Sequence, residues 1–171
     1  MSADLQAVIA ATTRWLLRAY PAPPGAMSAT LAEAQARQAT TIAAWLRYPT
    51  TFDVGLMMLS GPGGSERLDW VTGTDLTDTD EEWRGWVDEV VASWAACLLA
   101  DPRLASAAAE LAAGCQHVTG VPFDFRRLTR PDERDREATP LLRHPDLLAP
   151  VARLHEPELL GRLGVGSAEA A

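Results

Sequence analysis

The stretch 79–100, TDEEWRGWVDEVVASWAACLLA, constrains the fold more than any other part of the chain. Trp83, Trp86, Val87, Val90, Val91, Trp94 and Leu98 follow the i, i+3, i+4, i+7, i+8 series of a 3.6-residue period, so the spacing predicts one amphipathic helix. Glu81, Glu82, Arg84, Asp88 and Glu89 fall on the opposite face. Thr79 followed three residues later by Glu82 matches a capping box, and the acidic first turn suits the positive end of a helix dipole. Each tryptophan, once buried, is worth roughly 3–5 kcal/mol against alanine. Other elements must therefore cover this stripe.

The flanking segments supply them. Residues 5–20 carry Leu5, Val8, Ile9, Trp15, Leu16 and Tyr20 near one helical face, and PAPPG at 21–25 stops that helix. A second helix spans about 28–48, with an Ala-rich first half and Ile42, Trp45 and Leu46 anchoring the second, so the two form an antiparallel pair. After Pro49 the period changes. Phe52, Val54, Leu56 and Met58 alternate with Asp53, Gly55, Met57 and Leu59, then SGPGGS makes a turn, and Leu68, Trp70 and Thr72 alternate with Arg67, Asp69 and Val71. This reads as a β-hairpin over about 51–72. A lone hairpin is not stable in water and must pack on the helices, gain a strand or pair with another chain.

Beyond the central helix, Asp101-Pro102 starts a thin helix that stops at Gly114. Residues 120–125, GVPFDF, fit either a third edge strand or a loop whose aromatics plug the core. The run 126–137, RRLTRPDERDRE, is nearly devoid of apolar groups and reads as an exposed linker. Two short proline-started helices, HPDLLA and EPELLG, close the chain. The expectation is one α+β domain over 1–165, predominantly helical, with 166–171 a flexible tail.

Composition narrows the function more by exclusion than by suggestion. All 15 basic residues are arginine, and there is neither lysine nor asparagine, a pattern of GC-rich coding as in an actinobacterium-like genome. Without lysine there is no Schiff-base nucleophile, no pyridoxal-phosphate attachment and no Walker A lysine. No GxGxxG after a strand, HExxH, CxxC or GxSxG occurs. The net charge of −8 argues against nucleic acid and anionic membrane as partners. No apolar run reaches the ~20 residues of a membrane span, and no signal-peptide pattern opens the chain. Cys97 and Cys115 make no disulfide framework, so a cytoplasmic address is expected.

Charge is unevenly placed. Between 66 and 89 nine carboxylates face Arg67 and Arg84, whereas 126–136 holds five arginines against Asp132, Glu133 and Asp135. The acidic approach from Asp75 matches EF-hand spacing when counted from Asp78, but Trp83 stands where the sharp turn needs glycine, so it reads as a solvated helix start and not as a metal site. Cys115 and His117 lack further ligands at zinc spacing, and residues i and i+2 of a helix do not face each other. Neither cofactor nor metal is expected.

The leading expectation is a non-catalytic interaction, adaptor or regulatory module, of immunity or accessory type. It docks a basic protein partner through Asp75, Asp78, Asp80, Glu81 and Glu82, or another copy of itself as a homodimer through the hairpin edge. Arg126, Arg127 and Arg130 are candidate anion-binding residues, since guanidinium forks grip phosphate or carboxylate. The alternative is a small-molecule-binding protein or enzyme of secondary metabolism. Its pocket would be lined by Trp70, Trp86, Phe123 and Phe125, with Asp53, His117 or Arg127 supplying polar chemistry.

Overall fold

A computed structural model describes residues 3–74, 82–118, 123–143 and 145–165 of the chain. Of these, 76% are helical and none lies in a strand. The protein is all-α, and the expected α+β arrangement with a hairpin over 51–72 is incorrect.

Helices α1 (Ala3–Ala19) and α2 (Ala26–Arg47) fall within two residues of the positions their periodicity gives, and they pack against each other. Gly25, at φ 128°, makes the entry to α2 in a conformation other residues rarely adopt. The second half of α2 is its most covered part, with every residue from Ile42 to Leu46 buried. Ala32, Ala36, Ala39 and Ala43 recur at helical spacing and are buried, and their small side chains let neighbouring helices approach closely. Helix α2 touches α1, α5 (Glu89–Ala100) and α6 (Pro102–Ala112).

The segment read as a hairpin forms two helices, α3 (Thr51–Ser60) and α4 (Ser65–Thr72). The start of α3 is a reciprocal cap: Thr50 accepts from the Asp53 backbone N–H at 3.2 Å, and the Asp53 carboxylate accepts from the Thr50 N–H at 3.0 Å. Its run of consecutive apolar residues suits a helix as well as a strand, because alternation with Met57 and Leu59 discriminates nothing. The loop between the helices leans on the start of α5: a Cβ on Gly63 would lie 3.1 Å from the backbone of Asp88 and Glu89. Helix α4 ends on Gly73 in the left-handed conformation, φ 70°.

The single helix expected over 79–100 is broken in two among the described residues. A 3-10 turn covers Glu82–Trp86, and α5 starts only after Asp88, whose carboxylate accepts from the Val90 and Val91 N–H groups at 2.9 and 3.2 Å. Asp88 thus serves as an N-cap and not as part of a polar face. It also receives the Tyr48 hydroxyl, fixing the end of α2 against the start of α5. The Thr79–Glu82 cap lies partly outside the described residues. Trp83 and Trp94 are buried as their period implies, and every residue from Val91 to Leu99 is covered. A helix covered all round belongs to the interior.

Asp69 ties this interior together. It is fully buried, accepts from the Trp15 indole N–H at 3.0 Å, and lies 3.2 Å from the Arg84 guanidinium. One carboxylate therefore joins α1, α4 and the 3-10 turn.

The remaining elements are α7 (Arg126–Thr129), α8 (Glu133–Ala138), α9 (Pro140–Arg143), α10 (Pro145–Ala152) and α11 (Glu156–Leu163). The run expected as an exposed linker at 126–137 is helical and attached: Leu128 and Asp135 are buried, and the Gln35 amide donates to the Asp135 carbonyl at 3.2 Å. Of the alternative strand or loop at 120–125, residues 123–125 form neither strand nor helix, and 120–122 lie outside the described residues, as does the 166–171 tail.

Replacing Asp69 by alanine leaves the Arg84 charge and the Trp15 N–H without their partner in a covered site. A loss of roughly 3–5 kcal/mol is expected, measured as a lowered urea midpoint with an unchanged m-value.

Candidate functional site

Helix α3 presents a face that nothing in the described structure covers. Val54 and Met57 point into the core, while Phe52, Leu56 and Leu59, at i, i+4 and i+7, are 72, 49 and 86% exposed. Gly55 sits among them with open space around its Cα. Trp70 on α4 is 79% exposed as well, the reverse of the inward position the hairpin reading assigns it. Single exposed apolar side chains are ordinary, but a helical stripe of large ones marks a contact surface.

In the stretch of sequence that contains this face the charge is one-sided. From 51 to 89 the sequence holds ten carboxylates and two arginines, a balance equal to the whole chain's −8; elsewhere acids and arginines cancel. Both arginines are committed, Arg67 to Glu89 at 3.0 Å and Arg84 to Asp69 at 3.2 Å. Of the expected acidic docking residues, Glu82 is exposed at the head of the 3-10 turn, whereas Asp75, Asp78, Asp80 and Glu81 lie outside the described residues.

The candidate anion-binding arginines do not assemble into a free cationic cluster. Asp135 is fully buried and pairs with Arg127 at 2.7 Å and Arg126 at 3.5 Å; Arg126 also lies 3.7 Å from Asp132. Asp132 and Asp135 form the capping box of α8, and the backbone N–H groups Asp132 receives hold its carboxyl below the usual range. Two arginines and two carboxylates thus make a neutral quartet. Arg130 is exposed and stands outside it.

An aromatic pocket exists, with different walls from those expected. Trp45 of α2, absent from the sequence-based set, meets Phe123 and Phe125 edge-on at 4.7 and 5.9 Å between ring centroids, and the two phenylalanine rings are 11° from parallel at 6.0 Å. They bound a pocket of about 430 Å³ with Glu110, Asp124 and Arg126 at its polar edge. Trp70 and Trp86 line other parts of the surface. No sequence signal marks Trp45, which lies far from 123–125 in the chain.

The polar residues offered for chemistry do not converge. Asp53 is spent on the α3 cap, where the Thr50 hydroxyl holds its carboxyl below the ordinary value. His117 is buried with Nε2 2.6 Å from the Tyr48 carbonyl, and Cys115 donates weakly to the Trp45 carbonyl at 3.5 Å, so both secure the end of α2. Burial pushes the Cys97 thiol up to about 12, which keeps it unreactive. Among the described residues no three His, Cys, Asp or Glu side chains gather as a metal ion requires, and no helix is long and apolar enough to cross a membrane. No family model, curated protein or solved structure matches this chain.

Replacing Asp135 by alanine strips α8 of its cap partner and the two arginines of their buried acceptor. Because both guanidinium groups reach solvent, the expected loss is about 2 kcal/mol rather than that of a wholly buried pair, read from thermal unfolding. Thr50→Val should raise the Asp53 carboxyl toward its ordinary value, seen by NMR titration. The sign follows from the lowered folded value: the contribution of this cap is present above the unfolded carboxyl range and is lost as pH falls through the folded one.

Proposed function

We propose that the protein is a non-catalytic interaction module that docks a basic protein partner on the apolar stripe of α3. The observation that supports this most directly is the exposure of Phe52, Leu56 and Leu59 on one helical face. Charge selects the partner's chemistry. With the chain's whole excess of −8 concentrated between 51 and 89 and both arginines there already paired, a partner presenting arginine or lysine around an apolar cleft is complementary. A second copy carries the same acidic surround and is disfavoured, and the hairpin edge that would have paired two copies does not exist. Aromatic and apolar anchors supply affinity at such surfaces, while rim charge governs encounter and salt dependence.

A cytoplasmic address accords with the two free thiols Cys97 and Cys115. The scatter of Asp53, His117 and Arg127 over separate structural duties supports a binding role over a catalytic one.

Immobilised protein should retain host proteins from extract at low ionic strength, and those bound specifically should be lost with Phe52→Ala/Leu59→Ala and eluted by raised salt. Both substitutions fall on exposed side chains, so the melting temperature should change little. Neutralising Asp78, Asp80, Glu81 and Glu82 should weaken retention and flatten its salt dependence. Identical retention by the wild type and the Phe52/Leu59 variant would falsify the assignment.

A further inference from the structure

We infer that the pocket between α2, α6 and residues 123–129 binds a small organic cation with an apolar body. This site is independent of the α3 surface. Its volume of about 430 Å³ lies within the range of small-molecule sites. The walls are the Trp45, Phe123 and Phe125 rings together with Ala109, Ala113 and Val118. Two near-parallel phenylalanine rings stand nearly perpendicular to the indole, which is buried behind them and holds them in place. Ring faces attract cations, quaternary ammonium groups among them.

The sign of the rim decides the class of ligand. Arg126 is the one cation at the pocket edge among the described residues, and it belongs to the neutral quartet with Arg127, Asp132 and Asp135. Glu110 and Asp124 remain. Glu110 has no ion pair among the described residues, and the Asp124 carboxylate accepts only the Arg126 backbone N–H, at 2.8 Å. The edge is thus left negative beside an aromatic wall.

Isothermal titration calorimetry with benzyltrimethylammonium, benzyl alcohol and phenylacetate separates the contributions. The cation should bind saturably and most tightly, and phenylacetate most weakly. Glu110→Gln with Asp124→Asn, which keeps the acceptor for the Arg126 N–H, should weaken the cation about five-fold and leave benzyl alcohol unchanged. Phe123→Leu, at a half-exposed ring, should weaken both. Absence of saturable binding by all three compounds overturns the inference. So does tighter binding of phenylacetate, equal binding of the cation and the alcohol, or cation affinity indifferent to the paired carboxylate substitutions. None of these results bears on Phe52 or Leu59, so either site can fail alone.

Discussion

A single buried carboxylate sets the mutual orientation of three elements of this protein. Asp69 has no contact with water, and a charge so placed persists only with close partners. Trp15 arrives from α1 and Arg84 from the 3-10 turn, so the middle of α4 must face both. That fixes which side of α4 turns inward. Leu68 and Asp69 go in, and Trp70 goes out. It also fixes where the 3-10 turn lies, and hence the direction from which the chain enters α5.

This constraint explains where sequence reasoning failed. An alternating pattern around Asp69 assigns Leu68, Trp70 and Thr72 to the interior and the acid to solvent, because a carboxylate is ordinarily the exposed member. No local rule reveals that Trp15 and Arg84 will meet it, since those partners come from distant parts of the chain. The start of α3 was legible in principle: Thr50 and Asp53 have the Thr-x-x-Asp spacing of a reciprocal cap. It was masked by a run of eight largely apolar residues that fits two periods at once. The central stretch shows the converse error. Its Trp and Val spacing identified covered side chains correctly, yet Asp88, counted on a polar face, ends one element and begins another.

The charged run at 126–137 departs from what its composition implies for a different physical reason. Low apolar content predicts solvation only when charges lack fixed partners. Here Asp135 draws in Arg126 and Arg127, and Gln35, itself fully buried, fastens the backbone beneath them to α2. The interleaving of acids with arginines was visible in the sequence, as was its tendency to consume the positive charge. Which acid would be buried was not, because that depends on Gln35, a hundred residues upstream. The pocket shares this character. Phe123 and Phe125 stood out as aromatics in a loop, but their wall is completed by Trp45, which the pattern of α2 marks only as one more core residue.

The placement of charge against apolar surface carries the functional argument further than either alone. A helix that exposes Phe52, Leu56 and Leu59 risks promiscuous association. The stretch of sequence that carries it also holds the chain's whole net charge of −8, and like charge of that size opposes self-contact. The same field accelerates encounter with a basic surface and falls with ionic strength over about 10 Å at 0.1 M salt. Arg67 and Arg84 each pair with a carboxylate of the same stretch, and its ten acids still exceed them by eight. Arg67 thus ties α4 to α5 and Arg84 ties α4 to the 3-10 turn, so both basic groups of the acidic stretch serve the fold.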